Sequence, residues 1–270
     1  MCRLFASIGI NNAKEFLKDK ECSLLAQSNS DPKHLQQDGW GVASFSGDWR
    51  VLRSTRPVFE DDIFPGEQIE GEIIIAHIRR ASNPLGLPIE ELRAPENIQP
   101  YRFGQVVFAH NGTIKIPEEM RPYLGEFADM VQGKNDSEIY FWLMIKNLEA
   151  SGHMKQAIQR TVSDLWDAWK SVPEEKQEKL KGPYRGLNFI MSDGKKIYAY
   201  CHHENVENAG PTLCYKDAPY YQMAYREENR GLVVASERMD KGEWKGMEDR
   251  ELLEAWMEDG KIYLETETVH

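Results

Sequence analysis

The sequence has little positive charge for its size and no long apolar run. Lys and Arg number 33 against 44 Asp and Glu, a formal net charge of −11. No Lys/Arg block interrupts this acidic surplus, so the basic face that displaces counterions from nucleic acid is missing. Nucleic acid is therefore not an expected partner. No apolar stretch approaches the ~20 residues of a membrane span. Met1-Cys2-Arg3-Leu4-Phe5 opens the chain without the apolar core of a secretory signal. The expectation is a cytoplasmic protein with no membrane contact. Cysteine is scarce, and Cys2, Cys22, Cys201 and Cys214 contain no C-x-x-C pair, which removes a zinc knuckle and a thioredoxin motif. Four thiols are expected, three of them structural, with no metal and no cofactor. Internal repeats and low-complexity linkers are also lacking, so residues 1–270 read as one domain.

What is present is mostly strand. Cys2 to Ile10, Gly41 to Phe45, Trp49 to Leu52, Ile73 to Ile78 and Phe103 to Ala109 carry strand patterns, the last stopped by Asn111-Gly112. Helical spacing covers Ala13 to Ala26, Ser137 to Leu148 behind Asp136, and Met154 to Trp169. Pro88 to Pro100 reads as a long polar loop, and the charged stretch Glu174 to Lys181 as another. Leu187–Met191 with Lys196–Cys201, and Leu252–Met257 with Lys261–Leu264, are hairpins; Tyr220 to Ala224 and Leu232 to Ala235 are shorter strands. Hairpins gathered around central helices predict an α+β fold of two mainly antiparallel sheets with helices outside.

A cysteine at position 2 has a special chemistry. Removal of the initiator methionine frees its α-amino group, whose pKa of about 7.7–8.0 makes it a usable base beside the thiol. One residue then supplies nucleophile and base together. In isolation Cys2 reads far more readily as a core residue of a strand. Asn111-Gly112 offers an amide side chain and a backbone N–H to an oxyanion; alone, it is a turn signal. His77 and Arg79 share a face in strand alternation. Arg79 has the planar fork that suits a carboxylate, whereas Arg80 reads as a surface ion pair and His77 as a core histidine. Asn135-Asp136-Ser137-Glu138 starts a helix, with Asp or Ser as N-cap, and Asp136 doubles as a candidate partner for an ammonium. Asp38-Gly39-Trp40-Gly41 is a glycine-bracketed turn.

Taken as an ordered set, Met1-Cys2-Arg3-Leu4-Phe5, Asp38-Gly39-Trp40-Gly41, Ala76-His77-Ile78-Arg79, His110-Asn111-Gly112-Thr113-Ile114 and Asn135-Asp136-Ser137-Glu138 resemble the glutaminase domain of class II glutamine amidotransferases. The resemblance is strongest to the stand-alone bacterial group that includes the ergothioneine-biosynthesis amidase and glutathione-degrading amidases. It implies a four-layer αββα N-terminal-nucleophile hydrolase sandwich that cleaves the γ-glutamyl amide of glutamine or of a γ-glutamyl conjugate. It further implies Cys2 as nucleophile, Asn111 and Gly112 as the oxyanion hole, Arg79 on the substrate α-carboxylate and Asp136 on its ammonium. Ser82, His110, Gly39 and Trp40 then support the pocket. Synthase members carry Trp after the clamp arginine where this chain has Arg80, which argues for the stand-alone branch; the sequence does not separate a free-standing amidase from a glutaminase subunit with an ammonia-accepting partner protein. The alternative reading is a non-catalytic module that binds or senses a γ-glutamyl metabolite; it requires no free cysteine amine.

Overall fold

The computed structural model describes residues 2–33, 35–64, 69–203 and 210–270; Met1, whose removal the cysteine chemistry requires, lies outside them. The first half supplies β1 (Arg3–Ile8), β2 (Trp40–Phe45), β3 (Trp49–Ser54), β4 (Ile73–Ile78), β5 (Tyr101–Phe103) and β6 (Val106–Ile114). The second half supplies β7 (Tyr184–Ser192), β8 (Lys196–Cys201), β9 (Ala224–Glu228), β10 (Gly231–Ala235), β11 (Lys245–Gly246), β12 (Glu251–Glu258) and β13 (Lys261–Thr268). They form a seven-stranded sheet in the order β11-β9-β10-β1-β4-β2-β3 and a six-stranded sheet in the order β13-β12-β8-β7-β6-β5. Every strand pairing between them is antiparallel.

Strand alternation divides the side chains into layers. Leu4, Ala6 and Ile8 of β1 and Ile73 and Ile75 of β4 meet Val107 and Ala109 of β6 and Ile190 of β7 between the sheets. The opposite faces of β1 and β4 (Phe5, Ile74, Ala76, Ile78) pack outward on Phe16, Leu17 and Leu24 from the N-terminal helical segment. The second sheet turns Phe108, Leu187 and Phe189 outward onto helices Asp136–Ser151 and Met154–Trp169. The result is the expected helix–sheet–sheet–helix stack. Helix Asp136–Ser151 is buried along most of its length. No helix among the described residues is long and apolar enough to cross a membrane.

Several local expectations fail for reasons that lie outside the local sequence. Asn111-Gly112 does not stop a strand, because β6 runs through it to Ile114. Glu174–Leu180 is a helix, not a loop; none of its residues is buried, so it shows no apolar periodicity to read. Residues 13–26 are not one helix: a π-helical turn at Glu15–Asp19 ends before Leu24–Asn29 restarts with Ser23 as N-cap. The Pro88 to Pro100 region contains short helical turns at Ile89–Leu92 and Pro95–Asn97. The strand expected at Tyr220 begins only at Ala224. Cys22 and Cys214, expected as thiols, are joined in a disulfide across a sequence separation of 192, with Cα atoms 6.0 Å apart. Cys2 and Cys201 are free and buried.

Candidate active site

The inter-sheet layer is apolar along most of its length and polar at one end. Continuing the alternation of Leu4, Ala6 and Ile8 backwards puts Cys2 on the face of β1 that meets the second sheet. Continuing Val107 and Ala109 forwards puts Asn111 on the face of β6 that meets β1, and Ile73 and Ile75 do the same for His77 and Arg79. Arg3 pairs with Ile78 between β1 and β4, so Cys2 falls beside Arg79. Strand β1 lies over β6, β7 and β8. Alternation thus turns the cysteine, the arginine and Asn111 toward the layer between the sheets, with Arg79 and Asp136 near enough to Cys2 to act on its thiol.

Cys2 is buried, and its thiol donates to the Arg80 carbonyl at 3.4 Å. Burial pushes the thiol above its ordinary pKa, the Asp136 charge adds to this, and the Arg79 guanidinium opposes it without prevailing. The resting sulfur therefore holds its proton at neutral pH and needs a base before it can attack.

Arg79 is 1% exposed. Its Nη1 donates to the carbonyls of Leu92 at 2.8 Å and Asp38 at 3.3 Å. Its Nη2, also buried, has no hydrogen-bond partner among the described residues. A buried guanidinium nitrogen without an acceptor is costly unless a ligand supplies one, and the fork geometry suits a carboxylate. Asp38 braces the arginine. Its Oδ2 accepts from the Ala81 amide at 2.9 Å, and its Oδ1 accepts from Arg93 Nε at 2.9 Å and Nη2 at 2.8 Å. Gly39 accepts from the Arg79 amide at 2.8 Å, while the Trp40 indole turns into the outer core and donates to Asp61 at 3.1 Å. The Gly39 carbonyl thus holds the Arg79 backbone from the neighbouring strand, whereas Trp40 pairs with Ile78 and turns its side chain away from the site.

Asp136 opens its helix as the first residue, because Asn135 takes the N-cap with its side chain accepting from the Ser137 amide at 3.3 Å. That corrects the expectation that Asp136 or Ser137 caps, and it leaves the Asp136 carboxylate for other work. Its oxygens accept from Ser82 Oγ at 2.5 Å and from the Ile114 amide at 2.7 Å. Burial raises its pKa from 3.8 to about 6 against the pull of those bonds and of Arg79. His110 lies beneath, with Nδ1 3.0 Å from Ser137 Oγ and its ring edge-on to Tyr140. Burial lowers its pKa to about 3, so its ring is neutral and supports the floor without charge.

Neither the nitrogen nor the oxygen of the buried Asn111 side chain has a partner among the described residues. Such a group normally costs about 1–3 kcal/mol, a cost offset when a reacting species takes the hydrogen bond. Gly112 sits at a β-bulge: Gly112 pairs with Leu187 while Thr113 pairs with Arg185, so Gly186 is the extra residue of the bulge, at φ +69°. A Cβ on Gly112 would stand 2.1 Å from the Gly186 carbonyl oxygen and 2.3 Å from His110 Nε2. Gly112→Ala is thus expected to destabilise the fold by at least about 2 kcal/mol, read as a lower urea midpoint at unchanged m-value.

The model of the family described as glutamine amidotransferases class-II matches residues 1–269. The chain belongs to this family. Glutamine–fructose-6-phosphate aminotransferase from Aliivibrio fischeri is 31% identical over 131 residues, covering 44% of this chain and 20% of that protein. A probable glutamine amidotransferase from Saccharomyces cerevisiae is 24% identical over 257 residues, covering 81% of this chain and 69% of that protein. The chain therefore spans a fifth of the first relative's length. A class II glutamine aminotransferase domain protein from Silicibacter pomeroyi superposes with a TM-score of 0.62 at 18% identity, covering 99% of this chain and all of that one. That likeness is one of fold, an αββα sandwich of the N-terminal-nucleophile-hydrolase-like kind.

Some residues around this candidate site were not singled out from sequence. Asp38 was read only as part of a turn, and its bond to the Ala81 amide and its pairing with Arg93 depend on the fold. Arg80, expected in a surface ion pair, makes none among the described residues and lines a cavity beside Ser82 with Lys115 and Arg185. Of the tyrosines and methionine considered for such a pocket, Tyr220 and Tyr221 line this cavity. Met223 lies in the inter-sheet core and Tyr215 donates to Glu21 at 3.3 Å.

Proposed function

We propose that residues 1–270 act as one glutaminase domain that hydrolyses a γ-glutamyl amide, glutamine or a γ-glutamyl conjugate, through a thioester on Cys2. The observation that carries this reading is the set of buried groups with no partner among the described residues, Arg79 Nη2 and the Asn111 amide, on the inter-sheet face that also holds Cys2. An amino acid end brings one negative and one positive charge, and Arg79 and Asp136 answer them in turn. With Met1 removed, the Cys2 amine takes the thiol proton as sulfur attacks the γ-carbonyl carbon. The carbonyl oxygen becomes an oxyanion against the Asn111 amide and the Gly112 N–H. Collapse breaks the C–N bond, and the leaving nitrogen takes the proton back. Water, deprotonated by the same amine, then releases glutamate and restores the thiol. Burial of the thiol supports the need for such a base, since sulfur that is protonated at rest cannot attack unaided.

Intact mass tests this reading directly. Protein treated with a glutamine-like diazoketone is expected to have lost one methionine and gained a single adduct, mapped to Cys2. A retained Met1 with no adduct would leave a binding module and exclude the thioester route.

The pH dependence follows from Asp136. It must be charged to hold an ammonium, so kcat/KM rises with pH through about 6 with unit slope, and the limb disappears in Asp136→Asn. Stability runs the other way. The folded pKa lies above the unfolded value of 3.8, so the group favours the folded state below about pH 4. That contribution is lost as pH rises through about 6. At neutral pH the buried carboxylate is a net cost of about 1–3 kcal/mol. Asp136→Asn, which can still accept from the Ile114 amide and donate to Ser82, is expected to raise Tm while weakening substrate binding. A lower Tm and an unchanged KM would contradict both statements.

A further inference from the structure

Beside Ser82 the site opens into a cavity of about 500 Å³. Its lining includes Arg80, Lys115 and Arg185 together with Tyr220 and Tyr221, and among the described residues no Asp or Glu lines it. This runs against the character of a chain with net charge −11. The three cations arrive on the segments that carry the site. Arg80 directly follows Arg79, Lys115 lies just beyond β6, and Arg185 stands on β7 opposite Thr113. Lys115 is fixed on the wall by donating to the Leu180 carbonyl at 2.6 Å. Burial, and then the like charge of Arg185, lower its pKa, as expected for a cation placed near another cation.

We propose that this cavity receives the amine half of a γ-glutamyl amide whose leaving amine carries a carboxylate, that is, a γ-glutamyl amino acid or short peptide in preference to glutamine. The proposal rests on the γ-glutamyl hydrolase reading. Arg79 and Asp136 are each 1% exposed, so they hold the glutamyl end in the enclosed part of the site. Ser82 joins that part to the cavity, since its hydroxyl binds Asp136 while its side lines the wall. A substituent on the amide nitrogen therefore extends among the three cations. Departing ammonia has no use for such a space, whose volume is that of pockets for molecules of several residues' size, about 300–1,000 Å³. An amino acid leaving group brings its carboxylate close to the breaking bond, where guanidinium forks bind it in a planar, bidentate way. The tyrosine rings offer apolar faces to its side chain. In the reaction the acyl carbon passes to Cys2 sulfur and the C–N bond breaks. The amine leaves with the proton from the Cys2 ammonium, and water completes the hydrolysis to glutamate.

A matched pair of substrates tests this. γ-Glutamylglycine and γ-glutamylglycinamide differ in one charge on the leaving amine. The purified protein is expected to favour the first in kcat/KM by about tenfold or more, with the ratio shrinking as ionic strength rises. The ratio should fall toward one in the double variant Lys115→Gln/Arg185→Gln; Arg185 is exposed, so little packing is lost there. Equal kcat/KM for the pair, or a preference that survives the double substitution, overturns the assignment. If neither compound nor glutamine is cleaved, the hydrolase reading fails separately, and calorimetry on Cys2→Ala decides the cavity's role. Tenfold tighter binding of γ-glutamylglycine upholds the anionic subsite, and equal affinities refute it.

Discussion

Cys2→Ala is expected to lower kcat by a factor on the order of 10⁴–10⁶, the scale on which loss of a covalent nucleophile acts in other hydrolases. No other thiol can take over, because Cys201 is buried in the inter-sheet core and the remaining pair forms a disulfide. The fold should survive. The change removes one sulfur at the edge of the layer, and small truncations of this kind cost about 1 kcal/mol. The variant should also still bind γ-glutamyl compounds, because Arg79 and Asp136 are untouched. Turnover and calorimetric affinity measured on the same preparation separate the two effects. Normal turnover by the variant would falsify the thioester mechanism, while binding without turnover by the unmodified protein would point to sensing.

Asn111→Ala should reduce kcat by about 10²–10³ with a much smaller change in KM, since an oxyanion donor acts on charge that exists only near the transition state. The same substitution is expected to leave stability unchanged or to raise it slightly. It removes two buried polar atoms that find no partner among the described residues, and an unmet buried hydrogen-bonding group costs about 1–3 kcal/mol. The pairing of lost catalysis with unreduced stability distinguishes a reactive role from a structural one. A structural asparagine would show the reverse, a lower denaturation midpoint with kcat preserved. Single-turnover kinetics alongside urea melts make the comparison.

Much of the architecture was legible because strand alternation is a local signal. β1, β2, β4 and the hairpins of β7 with β8 and β12 with β13 fall close to where the apolar pattern places them. The failures share a cause. Asn-Gly is a turn signal in local chemistry, yet Gly112 is required because a carbonyl from β7 crowds it, and nothing in residues 105–115 shows that. The Cys22–Cys214 bond joins segments distant in sequence that both meet the stretch after β10, at Glu237 and Met239. Glu174–Leu180 is helical without a buried face. For the site, the types and order of Cys2, Arg79, Asn111 and Asp136 suggested the chemistry. The brace from Asp38, the freeing of Asp136 by Asn135 and the cationic cavity depend on contacts between distant segments.

The placement of Cys2 by alternation makes the proposed chemistry hostage to strand register. A slip of β1 by a single residue would rotate its sulfur toward the outer helices and thrust the guanidinium of Arg3 between the sheets. The pairing of β1 with both β4 and β10 guards against this from two sides. Ser236 adds a third lock, accepting from the Leu4 amide at 2.8 Å. Substitutions in the apolar filling, at Leu4 or Ala109, therefore have two ways to silence the protein: by unfolding it, or by letting a well-folded strand present the wrong neighbour.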